Sequence, residues 1–461
     1  MPIVTSAFTS LPLSKPCVDN LNQLGFTEMT PIQAQALPAI LRGDDVVGQA
    51  KTGSGKTVAF GLGLLSHLDP KRMQTQALVL CPTRELADQV TKVLRQLARA
   101  WPNVKILTLC GGMPMRAQTG SLEHGCHIAV GTPGRIRKHL ENGNLHLDRL
   151  ETLVLDEADR MLDMGFEDDI NAIMGDVPHQ RQTLLFSATY PTEIEAMTAK
   201  VQSQPVMVKI DSEPSNDIEQ SAIELSPAQK PTALLALLAQ HQPESTVVFC
   251  NTRIACQNVA DDLHDAGVSV LELHGDLDQQ ERDRTLVRFS NKSASVLVAT
   301  DVAARGLDIK SLAMVVNYDI AFEPEVHVHR VGRTGRAGEQ GVAVSLCSGN
   351  ETKRLLAIED LAGVDIPRES FDSLNLVTHV DLTPPMMTIS IGAGRKSKMR
   401  PGDILGALTA DKTLSGKVVG NIHVGDRLSY VAIEREHAKN ALHILQRDKI
   451  KGRNLIVKLH K

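Results

Sequence analysis

"DVVGQAKTGSGKTVAFGLGLLSHL", Asp45 to Leu68, joins an apolar run, a turn of small residues and a second apolar stretch. The first run does not alternate polar with apolar, so it predicts a strand buried on both faces, as in a parallel sheet. The second predicts a helix. Between them, Gly53, Ser54 and Gly55 let successive backbone N–H groups turn inward on an anion. Lys56 brings charge for outer phosphates and Thr57 a hydroxyl for magnesium. A loop of this kind usually opens on glycine; this one opens on Ala50, so taken alone it also fits an incidental glycine-rich turn.

Working outward, the same rhythm recurs. Apolar runs begin at Ala77, Lys105, His127, Thr152 and Thr183, then again at Thr246, Val268, Ser295, Met314 and Val342, each followed by a helix-length stretch. Two open, doubly wound α/β domains are expected, over residues 1–210 and 221–365. Asp211–Ser221 is polar and proline-bearing and predicts a flexible joint; Ile366–Pro385 predicts an unstructured tether. Residues 386–461 then give a smaller βαββαβ, α+β pattern, the arrangement of many RNA-recognition modules.

Composition narrows the class. Of 461 residues 42% are apolar and 22% charged, and no uncharged apolar run is long enough to span a membrane. The N-terminus lacks a signal-peptide layout, and seven scattered cysteines contain no C-x-x-C pair; a cytoplasmic chain with reduced thiols is expected. The net charge of −5 divides into +9 from Met386 onward and −14 before it, so the tail is suited to a polyanion.

A second stretch bears on the doubt over Ala50. "TLVLDEAD" sets Asp156 and Glu157 at the carboxyl end of an apolar run, where open α/β sheets bind ligands. Asp156 is suited to hold magnesium, and Glu157 to deprotonate an attacking water. Charge for a developing phosphate anion is offered by Arg330, Arg333 and Arg336 of "HRVGRTGRAG"; the alternative is exposed arginines at a helix start.

These stretches, with "PTRELA", "TPGR" and "SAT" in the same order, resemble a DEAD-box RNA helicase from Phe8 to about Gly349. Alanine at the loop's first position is usual in that family. The resemblance implies two tandem RecA-like domains, an ATP-dependent and RNA-dependent ATPase that separates short duplexes, ATP with Mg2+ (Thr57, Asp156), and Lys56, Glu157, Arg333 and Arg336 as catalytic groups. Adenosine would meet Phe8, Phe26, Gln33 and Asp308, and the phosphates Thr52 to Thr57. Ser187, Thr189 and His329 would couple hydrolysis to strand separation, although simple turn capping also explains the serine and threonine. RNA would meet Thr83, Arg84, Gly111, Gly112, Thr132 and Arg135, then Gly275, Asp276, Gln279, Arg282 and Thr300. These are small hydroxyls, bare backbone and single arginines, suited to sugar and phosphate rather than base edges.

The RRM-like tail resembles that of a bacterial branch whose tail domain recognises a hairpin of 23S ribosomal RNA in the maturing large subunit. Arg395, Lys396, Lys398 and Arg400, with Lys449, Lys451 and Arg453, are its candidate RNA contacts; solvated basic loops are the alternative. Aromatics make up only 3% of the chain, and Tyr430 is the one ring its central strands offer for stacking. A monomer is expected, with no membrane partner. Two other functions fit the same motor: a DNA translocase, and an RNA-binding placeholder without turnover. Against the placeholder, every position the chemistry needs carries a competent residue.

Overall fold

The computed structural model describes residues 7–51, 53–210, 218–304, 312–335, 340–410 and 413–460. Thr52, Asp308, Arg336 and most of the expected joint (211–217) lie outside the described residues.

The chain forms two compact units, divided after Pro214. The first carries seven parallel strands: β1 (Val46–Gln49), β2 (Ala77–Leu80), β3 (Ile106–Leu109), β4 (Ile128–Gly131), β5 (Thr152–Asp156), β6 (Gln182–Ser187) and β7 (Val206–Lys209), in the order β3-β4-β2-β5-β6-β1-β7. Alternate residues of one strand serve opposite cores. Val154 joins the cluster with Phe60 and Phe186, while Leu153 and Leu155 join the one with Ile136 and Met161. Both faces are covered, so both sets must be apolar, and the sequence shows no alternation. β7 was not expected from the sequence: it lies at the sheet edge and three of its four residues are exposed.

The second unit repeats the plan with β8 (Ile218–Glu224), β9 (Thr246–Cys250), β10 (Val270–Leu273), β11 (Val296–Thr300), β12 (Met314–Asn317), β13 (Gly341–Cys347) and β14 (Arg368–Ser370), in the order β10-β11-β9-β12-β13-β8-β14. Two expectations are corrected here. Ile218–Ser221, assigned to the joint, begins β8, which pairs with β13 over its whole length. Ile366–Pro385 is no unstructured tether: β14 extends the sheet, and Leu374, Val380 and Leu382 pack into the domain core beside Val248 and Val298. Ser295 Oγ also donates to the Leu382 carbonyl at 2.7 Å.

The tail forms β15 (Met386–Ile391), β16 (Val419–Val424), β17 (Ser429–Glu434) and β18 (Val457–His460), antiparallel in the order β16-β17-β15-β18. Helices Pro401–Thr409 and Ala438–Arg447 pack on one face through Ile404, Leu408, Ile444 and Leu445. The other face meets the second domain. Thr388 is fully buried; its Oγ1 accepts from Asn291 Nδ2 at 3.2 Å and lies 2.7 Å from Ser293 Oγ. Tyr430 is 5% exposed on this face, ring against His460, with Arg284 and Asp283 as charged neighbours. Tyr430, a candidate RNA contact from the sequence, therefore lies in a docking surface instead.

Docking should respond to pH. Burial, and then the positive charge of Arg288, Arg284 and Lys458, lowers the His460 ring to about 4. Ser390 and Tyr430 are its neutral neighbours. A free imidazole takes its proton near 6.5. Arg288 and Arg284 belong to the second domain while Lys458 stays with the tail, so the docked state loses the second domain's share of this stability as pH falls from that value toward 4. A fluorophore pair spanning the second domain and the tail should report separation between about pH 6.5 and 5. His460→Gln should remove the dependence, and a distance unchanged over that range would contradict it.

Candidate functional site

In the first domain the carboxyl ends of β5, β6 and β1 lie side by side. The loop after β1 enters helix Lys56–His67 through Gly53 and Gly55, both left-handed with φ of 87° and 95°. A Cβ on Gly55 would stand 2.4 Å from Gln33 Nε2, so glycine is required twice over, by φ and by space. Gln33 accepts from Thr30 N at 2.9 Å and donates to the Gly55 carbonyl at 3.0 Å, tying the "TPIQ" helix start to the loop. Phe26 is half-buried nearby in the chain, whereas Phe8 is 3% exposed, within the core. Lys56 is buried and its Nζ donates to the Ala50 carbonyl at 2.7 Å.

Asp156 ends β5, fully enclosed, and burial pushes its carboxyl up to about 7; Lys56 opposes the shift and Glu157 adds to it. Among the described residues its Oδ1, and Ser54 Oγ, have no hydrogen-bond partner, and both are buried. Two orphaned oxygens beside a turned-in lysine fit a phosphate-bound divalent cation, whose charge would stabilise the ionised carboxylate. Among the described residues no cluster of three histidine, cysteine or acidic side chains forms a metal site by itself.

Glu157 holds φ of 54°, a left-handed conformation that costs a non-glycine residue about 1–3 kcal/mol and persists where its surroundings enforce it. Its carboxylate pairs with buried Arg160 at 3.0 Å. Asp159 Oδ2 accepts from Ala188 N (3.1 Å), Thr189 N (2.9 Å) and Thr189 Oγ1 (3.0 Å), and Asp159 N faces Ser187 Oγ at 3.4 Å. Ser187 and Thr189 thus do bond to the "DEAD" turn. Sequence reasoning left Asp159 and Arg160 without roles; only the helical spacing of Glu157 and Arg160 hinted at their pairing.

The other half of the row, the ends of β3, β4 and β2, carries the remaining candidates of this domain. Thr83 caps helix Arg84–Leu97, its Oγ1 accepting from Leu86 N at 3.2 Å, and Arg84 lies 3.9 Å from Asp88. Gly111 and Gly112 are exposed, with open space beside Gly111. Thr132 precedes helix Pro133–Glu141, on which Arg135 sits.

The second domain repeats the division. Gly275 and Asp276 follow β10, with Asp276 paired to Arg253; Gln279 donates to Asp283 at 2.9 Å, Arg282 to the Ala303 carbonyl at 3.3 Å, and Thr300 ends β11. Helix Pro324–Val331 leads into Arg333, which is 7% exposed, and carries half-buried His329. Arg330 corrects the expectation of three arginines aimed at phosphate. It is fully buried, bonded to Asp301 (2.6 and 2.7 Å), the Asp319 carbonyl (2.6 Å) and Asn251 (2.8 Å), over the Phe249 ring. It braces this domain. His327, buried and lowered to about 4 by burial and Arg330, is likewise interior.

On the tail, the two basic loops form one patch: Lys451 Nζ donates to the Lys398 carbonyl at 2.7 Å and reaches Asp403 at 3.2 Å. Arg395, Lys396, Arg400, Lys449 and Arg453 are exposed around it.

Against known proteins, residues 30–197 match the DEAD/DEAH box helicase family, 229–338 the helicase conserved C-terminal domain and 388–459 the DbpA RNA binding domain. ATP-dependent RNA helicase DbpA of Escherichia coli (strain K12) is 54% identical over 99% of this chain and 100% of its own length. The Bacillus subtilis (strain 168) protein of the same name is 35% identical over 98% and 99%. Saccharomyces cerevisiae Dbp5 bound to RNA and ADP BeF3 superposes with a TM-score of 0.73 at 30% identity, covering 80% of this chain and 96% of that one.

Proposed function

The chain belongs to the DEAD-box ATP-dependent RNA helicases, and from that premise we propose that it works, as a cytoplasmic monomer, on a hairpin-bearing segment of 23S ribosomal RNA during large-subunit assembly. The tail's basic patch grips the hairpin while the two α/β domains take hold of neighbouring RNA and separate short duplexes. The single observation that carries this is the patch itself, drawn together by Lys451 from two loops about fifty residues apart in sequence.

In the first domain, Gly53, Ser54, Gly55 and Lys56 receive the phosphates of ATP, with Thr52 beside them. Gln33 keeps one amide hydrogen and one lone pair for the adenine edge, beside Phe26. Buried Phe8 acts through the segment it pins, and Asp308 takes the ribose. Thr57 and Asp156 would hold Mg2+, which supplies charge to the β- and γ-phosphates when bound. Glu157, set by Arg160 and its enforced backbone, takes the proton of the attacking water. Arg333 and Arg336 neutralise charge developing on the γ-phosphate once ATP and RNA have drawn the domains together. Asp159, Ser187, Thr189 and His329 carry that event to the RNA side, where Thr83, Arg84, Gly111, Gly112, Thr132, Arg135, Gly275, Asp276, Gln279, Arg282 and Thr300 hold sugar and phosphate.

Neutralising Arg395, Lys396 and Lys449 together should lower affinity for a 23S hairpin fragment by about tenfold or more, and flatten the logarithmic salt dependence by about 2. ATPase activity stimulated by unrelated RNA should persist. Unchanged hairpin affinity, read by filter binding at two salt concentrations, would remove the patch from RNA recognition.

A further inference from the structure

Two residues outside every stretch quoted for this family converge beneath the glycine pair of the first domain. Gln118 lies on helix Met115–Leu122 and is 7% exposed; His139, on helix Pro133–Glu141, is fully buried. Gln118 Nε2 donates to the Cys110 carbonyl at 2.9 Å, immediately before Gly111. Gln118 Oε1 accepts from Arg135 Nη1 at 2.8 Å and stands 2.8 Å from His139 Nε2. Arg135 Nη1 also donates to the Met113 carbonyl at 2.9 Å, so the loop is held on both sides of its glycines.

The chemistry fixes the orientation of every group. Arginine can only donate, so the oxygen of Gln118 must face it, and its NH2 must face Cys110. His139 Nε2 then meets an oxygen and carries the proton, which leaves Nδ1 bare; that atom is buried, with no partner among the described residues. Burial, and secondarily Arg135, hold the ring below its ordinary pKa, in keeping with the neutral tautomer.

We propose that Gln118, oriented by His139, is a positioning residue that sets Arg135 and the Gly111–Gly112 backbone in the geometry that grips RNA. This rests on the reading of Arg135 and the glycine pair as RNA contacts, and deepens it. Three groups from two chain segments meet the one amide, Arg135 and His139 at its oxygen and the Cys110 carbonyl at its NH2, so removing it frees the loop and the arginine together while leaving the nucleotide loop untouched.

The test measures RNA-stimulated ATPase in the full chain, with single-stranded RNA as the probe. Gln118→Ala should raise the RNA concentration for half-maximal stimulation about tenfold, with the KM for ATP within about twofold. Arg135→Ala should do the same, and the double variant should be no worse than the weaker-binding single, since both remove one unit. His139→Gln, whose amide reaches as Nε2 does, should stay near wild type, and His139→Leu should show a partial rise of about threefold. Should Gln118→Ala fail to fold, Gln118→Glu keeps the acceptor for Arg135 but turns an oxygen on the Cys110 carbonyl, and should raise the requirement about threefold. A normal RNA requirement in the Gln118 variants beside an impaired Arg135→Ala, or singles whose effects multiply in the double, would overturn the positioning role alone. An Arg135→Ala protein with normal RNA dependence would overturn the RNA reading of this loop and the inference with it.

Discussion

Glu157→Gln should bind ATP and RNA as the parent does and hydrolyse ATP about 10²- to 10⁴-fold more slowly, the range for loss of a positioned general base. Gln fills the same volume and keeps an oxygen facing Arg160, so the ion pair at 3.0 Å becomes a weaker ion–dipole contact and the turn survives. What it cannot do is accept a proton. The strained backbone argues the same way: φ of 54° at Glu157 persists although glycine would relieve it. Single-turnover hydrolysis, with fluorescent-nucleotide binding alongside, separates the outcomes. Turnover within tenfold of the parent would assign water activation to another group.

Arg330→Ala should instead act on stability. The guanidinium serves the Asp301 carboxylate, the Asp319 carbonyl and the Asn251 and Asn317 side-chain oxygens, and rests on Phe249. Deleting it strands four acceptors, one of them charged, at a cost of about 3–5 kcal/mol. Asp301 is itself 21% exposed at its side chain, which places the loss toward the lower end. The melting transition of the second domain should fall by about 10 °C. Arg330→Lys keeps the charge but not the fork, and should recover only part of that. An unchanged transition with lost ATPase activity would return Arg330 to the phosphate site.

Much of this molecule was legible in its sequence because its strands are buried on both faces. Runs such as "TLVLD" and "TVVFC" do not alternate, and the residues that follow them fall at carboxyl ends, so Asp156 and Glu157 could be placed before any coordinates, whereas Thr83 and Thr132 came from the family resemblance. What escaped depended on distant partners. β8 reads as a polar joint because Glu219 and Gln220 sit in it, yet β13 supplies its ladder. Leu374, Val380 and Leu382 lack a period, since they follow the domain's contour, not a helix or strand. Tyr430 looks like a stacking ring until Thr388, Asn291 and Ser293 show its face to be occupied. Arg330 shares a three-residue spacing with Arg333 but points to Asp301, and only the fold tells a strut from a surface charge. Asp159, likewise, is a helix-start acid until the "SAT" backbone is set against it.

The proposed coupling of hydrolysis to strand release, through the bonds of Asp159 to the "SAT" stretch after β6, is most directly tested by Thr189→Val. The swap preserves shape and the backbone bond to Asp159 Oδ2 at 2.9 Å while removing the hydroxyl bond at 3.0 Å. Duplex strands released per ATP hydrolysed should fall about tenfold, with RNA-stimulated hydrolysis kept within about threefold. Strand release and hydrolysis declining in the same proportion, or neither declining, would contradict a link at this point.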